Sequence, residues 1–162
     1  MSEGVLALPD AAATEMLGHM LGGLLRAGDV VALFGDLGAG KTSLARGALA
    51  ALGLAEEAPS PTFAIVQPYA PPEVVLPVAH VDLYRLNAPE DAEELGLEEW
   101  LEDGALLIEW PERLGAGLWP HALRLTLAPD AAGGRRLTWA APAAWEARWP
   151  PHPPKPSAGP AR

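Results

Sequence analysis

The chain contains no cysteine, which excludes disulfides, thiolate zinc sites and cysteine nucleophiles and fits any redox compartment. No apolar run approaches the roughly 18 residues that a membrane-spanning helix needs. Residues 1–10 lack both a basic n-region and a long apolar h-region, so no signal peptide is expected and the reading is a soluble, cytoplasmic protein with no membrane role. Positive charge is scarce: 11 Lys and Arg stand against 21 Asp and Glu, a formal net charge of −10. Such a surface repels phosphate backbones, so a direct grip on nucleic acid is disfavoured. A local nucleotide site stays open, because backbone N–H groups and one or two cations suffice to hold phosphates. The histidines at 19, 80, 121 and 152 are isolated in the sequence, and no structural zinc is expected.

At 162 residues the chain suits one domain, able to bury roughly two thirds of the surface its unfolded form exposes. The expected domain covers residues 1–149. Residues 150–162, PPHPPKPSAGPAR, are dense in proline without apolar periodicity and are expected to be disordered.

Elements follow from local pattern. Residues 4–8 are a short apolar run ending at Pro9, and Asp10 can cap a helix over residues 11–26 with Met16, Leu17, Met20, Leu21, Leu24 and Leu25 on one face. Residues 30–34 are continuously apolar, as in a strand covered on both faces of a parallel sheet. A glycine loop and a helix over residues 41–52 follow, with Gly53 at the helix stop. Residues 62–69 and 74–82 read as strands joined by the turn 70–73. Asn87 with Glu90 resembles a capping box opening an acidic helix to about Glu102. Residues 105–110 read as another buried strand, with Pro111 starting a short helix or turn. Residues 122–128 and 135–140 flank a turn and read as a hairpin. The fold class expected is α/β: a mainly parallel sheet flanked by helices, with antiparallel strands on the C-terminal side; the strand, glycine loop and helix around GDLGAGKT at 35–42 make it P-loop NTPase-like.

Residues 35–42 read Gly-Asp-Leu-Gly-Ala-Gly-Lys-Thr, a full match to GxxxxGK[ST] between an expected strand and an expected helix. Gly35 and Gly40 allow backbone angles that let consecutive N–H groups converge on phosphate oxygens, and the helix that follows points its positive end the same way. Lys41 supplies a cation for the β and γ phosphates, and Thr42 gives a hydroxyl to magnesium. The nucleotide-binding stretch is therefore Gly35, Asp36, Leu37, Gly38, Ala39, Gly40, Lys41, Thr42 and Ser43. Hydrolysis also needs an acid at a neighbouring strand end. The run ALLIE at 105–109 ends in Glu109, a Walker B pattern, and makes it a second magnesium ligand beside Thr42. In HVDLYR at 80–85, alternation sets His80, Asp82 and Tyr84 on one face, and Asp82 is a candidate for orienting the attacking water. Trp110 either flanks the site or fills the core.

Together these blocks resemble the TsaE (YjeE) family, the bacterial ATPases required for N6-threonylcarbamoyladenosine in tRNA. GDLGAGKTSLARG at 35–47, SPTF at 60–63, HVDLYRL at 80–86 and LIEWPERL at 107–114 match its signature blocks in order, the acidic EELGLEEW at 93–100 also fits, and the likeness spans about residues 5–140. The resemblance implies ATP and Mg2+ as cofactors, with Lys41, Asp82, Glu109 and Thr62 in catalysis and Thr42 and Glu109 on magnesium. It implies that Ser60 and Thr62 belong to a switch loop near the γ-phosphate, which changes order when that phosphate leaves. It sets Asp10 and Thr14 near the nucleotide base and brings Gly134 and Arg135 towards the nucleotide. The partners implied are the TsaB–TsaD pair, with tRNA engaged only indirectly. Two alternatives stay open: a small P-loop kinase, which nine scattered arginines do not favour, and a nucleotide-dependent interaction module without significant hydrolysis of its own.

Overall fold

The computed structural model describes residues 1–56, 58 and 65–151. In chain order the elements are β1 (Ser2–Leu8), α1 (Ala11–Gly22), β2 (Val30–Phe34), α2 (Lys41–Ala51), β3 (Val66–Tyr69) and β4 (Val78–Asp82). Two 3-10 helices, Pro89–Leu95 and Leu97–Glu102, lead to β5 (Ala105–Glu109), and a third, Pro111–Gly117, leads to β6 (Leu123–Pro129), β7 (Arg135–Ala141) and α3 (Ala143–Glu146).

The strands form one seven-stranded sheet in the order β1-β7-β6-β2-β5-β4-β3. Its centre, β6-β2-β5-β4, is parallel, while β7 and β1 extend it antiparallel on one side and β3 on the other. The fold is therefore a mixed α/β sheet flanked by helices, with the C-terminal antiparallel hairpin where the sequence indicated it. The antiparallel β3 is an edge strand, which is why Pro68, with no N–H to donate, is tolerated there.

The continuous apolar runs are explained by cover on both faces. In β2, Val31 and Leu33 join α1 and α2 through Leu17, Leu21, Leu44 and Leu49, whereas Val30 and Ala32 face a second cluster with Leu97 and Leu114 of the 3-10 helices. In β5 the same alternation sends Ala105 and Leu107 one way and Leu106 and Ile108 the other. Each fully buried leucine or isoleucine contributes about 1.5–3 kcal/mol relative to exposure, so these strands anchor the parallel centre.

Three expectations are corrected. The first helix stops at Gly22 rather than residue 26, capped by Gly23. Its buried face is Thr14, Leu17, Gly18, Leu21 and Gly22, a stripe of small residues that lets α2 approach, which leaves Met16 61% exposed. The acidic segment is two 3-10 helices, not one helix capped by Asn87. Ala88 occupies the cap without a side-chain bond, Pro89 follows it, and Gly96 with φ 63° breaks the segment; repeated like charges give an α-helix no support there. The strand expected over 74–82 begins at Val78, after the turn in which Glu73 N donates to Ala70 O. Among the described residues no helix is long and apolar enough to cross a membrane. The expected start of β3 at residue 62 and the disorder expected of the tail at 152–162 lie outside the described residues.

Candidate functional site

The parallel centre brings three strand ends to one edge. In register, Leu33 of β2 lies beside Glu109 of β5, and Glu109 beside Asp82 of β4. Ligands of open α/β sheets bind at this carboxyl edge, and the 35–42 loop leaves β2 there and runs directly into α2.

Two glycines shape the loop. Gly35 has φ 143°, and a Cβ on it would sit 2.6 Å from Leu127 O. Gly40, with φ 105°, is the left-handed cap of α2, a conformation costly for any residue with a Cβ. The loop, Asp82, Glu109 and Trp110 enclose a cavity of about 210 Å³.

Lys41 is buried at 4% exposure, donates to the carbonyl of Gly35, and places Nζ 3.8 Å from the Trp110 ring centroid. Burial pulls its ammonium below the usual lysine range, and the carboxylates of Glu109, Glu112, Asp82 and Asp36 oppose that pull. Trp110 thus flanks the site, held there by a left-handed backbone at φ 58°. Thr42 Oγ1 donates to the Glu109 carboxylate, 3.1 Å from Oε1 and 3.3 Å from Oε2. Burial raises the Asp82 carboxyl above the ordinary range, aided by neighbouring Glu109 and countered by the Tyr84 N–H, which donates to Oδ1 at 2.9 Å.

Threonine hydroxyl and glutamate carboxylate, drawn together from α2 and β5, are hard oxygen donors of the kind magnesium takes beside phosphate oxygens. The donor set therefore fits the ion that the sequence implied.

Comparison with known proteins places the chain in a family. The family described as threonylcarbamoyl adenosine biosynthesis protein TsaE matches residues 8–137. The chain belongs to the TsaE family. It is 46% identical over 112 residues to the tRNA threonylcarbamoyladenosine biosynthesis protein TsaE of Synechocystis, covering 66% of this chain and 69% of that protein. It is 38% identical over 144 residues to the Mycobacterium tuberculosis TsaE, covering 84% and 86%. In solved structures it resembles Bacillus subtilis YdiB, with a TM-score of 0.71, 28% identity and 86% of each chain covered.

Within this TsaE-family fold, most of the expected site residues converge. Lys41, Thr42, Asp82 and Glu109 meet at the cavity, with Leu37, Gly38, Ala39, Gly40 and Ser43 lining it. Thr14 is buried, its methyl group beside Gly40, and Asp10 caps α1 by accepting from Ala13 N at 2.8 Å. Arg135 reaches the loop from behind: its Nε donates to Ala39 O at 3.0 Å and its Nη2 to Gly38 O at 2.9 Å. Ser60 and Thr62 lie outside the described residues.

His80, isolated in the sequence, has a partner in the fold. Fully buried, it places Nε2 2.6 Å from Glu109 Oε2, the imidazole N–H donating to the carboxylate. Its alternation with Asp82 was visible in the sequence; that β4 lies beside β5, and so brings it to Glu109, was not.

Proposed function

We propose that this TsaE-family chain binds Mg–ATP at the 35–42 loop and hydrolyses it, serving tRNA N6-threonylcarbamoyladenosine formation together with the TsaB–TsaD pair in the cytoplasm. The observation that carries the reading is the meeting of Thr42 and Glu109, 3.1 Å apart, beneath a glycine-shaped loop whose lysine is buried. A buried ammonium is costly without an anion, and a triphosphate supplies one. The sheet order and the position of the loop support a P-loop NTPase-like fold, built as one domain over residues 1–149.

The loop N–H groups and the start of α2 receive the phosphates, with Leu37 to Ser43 forming the wall around them. Lys41 leaves the Gly35 carbonyl for the β and γ phosphate oxygens. Thr42 and Glu109 would hold Mg2+, which would supply positive charge against the phosphoryl oxygens. His80 fixes the Glu109 carboxylate through Oε2. Asp82, held by the Tyr84 N–H, accepts a hydrogen bond from the attacking water and orients it towards the γ-phosphorus. The new oxygen–phosphorus bond forms as the bond from the γ-phosphorus to its bridging oxygen breaks, and the water's protons pass to the phosphate and to solvent. By the family resemblance, the proposal also gives Thr62 a role towards the γ-phosphate and Ser60 a role in the same switch segment. Arg135 acts on the loop rather than on the nucleotide, because two of its N–H groups are spent on loop carbonyls. Asp10 and Thr14 stand at the base end.

No transferable acceptor is needed for this chemistry, so the chain works as an ATP-driven switch on its partners, and the acidic surface suits an indirect relation to tRNA. The test is phosphate release by the isolated chain and by the chain with TsaB–TsaD, each against Glu109→Ala. Release that rises with the partners and drops in the variant supports the reading. Equal rates in wild type and variant contradict it, and phosphorylation of a nucleoside added to the assay with ATP would make the chain a kinase.

A further inference from the structure

A second cleft among the described residues is larger than the nucleotide site. About 750 Å³ in volume, it lies between the two 3-10 helices of the acidic segment and the one that follows Trp110. Its floor is apolar, made by the buried Ala92, Leu97 and Leu114 with the partly buried Trp119. Glu90, Glu93, Glu98 and Glu99, all exposed, stand around it. No lining residue is basic, so a triphosphate would be repelled.

The charge is concentrated here. Residues 89–104 carry eight of the chain's 21 acids and no lysine or arginine. Crowded like charges oppose the compact state, and a ligand bearing the opposite charge relieves that repulsion. An apolar floor within a ring of one sign fits a segment that offers an apolar side chain between basic ones.

We propose that this cleft docks a segment of the partner protein in which an apolar anchor is flanked by lysine or arginine. The inference rests on the proposed action with TsaB–TsaD and names the surface and the chemistry through which that pair is met. The cleft also has a route to the nucleotide. Leu114, on its wall, belongs to the helical turn that starts immediately after Trp110, the residue whose ring lies under Lys41, and Ala116 and Gly117 follow it beyond the kink at Gly115. An anchor seated against Leu114 presses on the segment that holds Trp110 and Glu109 in place.

The experiment measures the affinity of the full chain for purified TsaB–TsaD by calorimetry at several salt concentrations. The variants are Ala116→Arg, which fills the cleft, and Glu93→Lys/Glu98→Lys, which reverses its rim. Glu3→Lys, on exposed β1 at the far side of the sheet, is the control. The expected result is a loss of about tenfold or more in both cleft variants, a shallower salt dependence in the charge reversal, an unchanged control, and unchanged ADP affinity in all. Wild-type binding with both cleft variants equally tight overturns the inference alone. No binding by wild type overturns it together with the functional reading. A chain ending at residue 151 that binds TsaB–TsaD more tightly assigns the cleft to residues 152–162 instead. A wild-type dimer in sedimentation that Ala116→Arg dissociates assigns it to a second copy.

Discussion

The two ends of the central strands both bury charge, but in opposite ways. At the amino end of β2, Asp29 accepts two bonds from Arg148, at 2.7 and 3.0 Å, and a third from Arg26 N at 2.7 Å. Arg148 also donates to Leu24 O and Ala144 O and lies 4.1 Å from the Trp145 ring centroid. That pair is closed. At the carboxyl end Lys41 has a carbonyl and an aromatic face as its close partners, two carboxylates stand side by side on β4 and β5, and burial works against the charged forms of Lys41 and Asp82. One end spends its charges on the fold; on the proposed function, the other keeps them for a ligand.

The largest effect should follow from opening the closed pair. Arg148→Ala leaves Asp29 buried without its partner and should lower unfolding free energy by about 3–5 kcal/mol in urea titration, with nucleotide affinity in the folded protein unchanged. Next, Lys41→Met should cost about 2–4 kcal/mol of ATP affinity, roughly 30- to 1000-fold, by calorimetry. Its thermal midpoint should hold or rise, because a buried charge has been removed. A midpoint that falls as far as that of Arg148→Ala would make the two ends alike and end the comparison.

Asp82→Asn should slow phosphate release by roughly 100-fold while sparing ATP binding. Its stability effect has a definite sign. A carboxyl raised in the folded state contributes stability below its unfolded value, about 3.9, and loses it as pH rises through the higher folded value. The ionised Asp82 therefore destabilises the nucleotide-free protein at pH 7. The variant should unfold at a higher temperature there, with the gain vanishing towards pH 3 to 4 (about the unfolded carboxyl range). The smallest effect belongs to Arg135→Ala, which should weaken ATP and ADP alike by about 1 kcal/mol and speed hydrogen exchange of the 36–42 amides without nucleotide. A direct nucleotide contact would leave that exchange unchanged.

What could be read from the sequence was local. The run Val30–Phe34, the glycine pattern and the helix after it follow one another along the chain, so β2, the loop and α2 appeared together. Glu109 was visible because four apolar residues precede it, and the hairpin because its turn separates two alternating strands. What stayed hidden depends on partners distant in the chain. Arg148 finds Asp29 across 119 positions and Arg135 finds Gly38 across 97, and no spacing rule announces either. His80 meets Glu109 only because β4 and β5 become neighbours. The acidic segment misled for another reason: its capping pattern was locally plausible, but Pro89, Gly96 and repeated like charges gave a continuous helix too little support.

The central claim is that the 35–42 loop, Lys41 and the Thr42–Glu109 pair receive a magnesium-bound triphosphate. A crystal structure with Mg2+ and a non-hydrolysable ATP analogue tests it most directly. The account predicts the β and γ phosphates against the loop amides and Lys41 Nζ, with the ion on Thr42 Oγ1 and the Glu109 carboxylate. An analogue bound elsewhere, or an ion that leaves Thr42 and Glu109 bonded to each other, would contradict it.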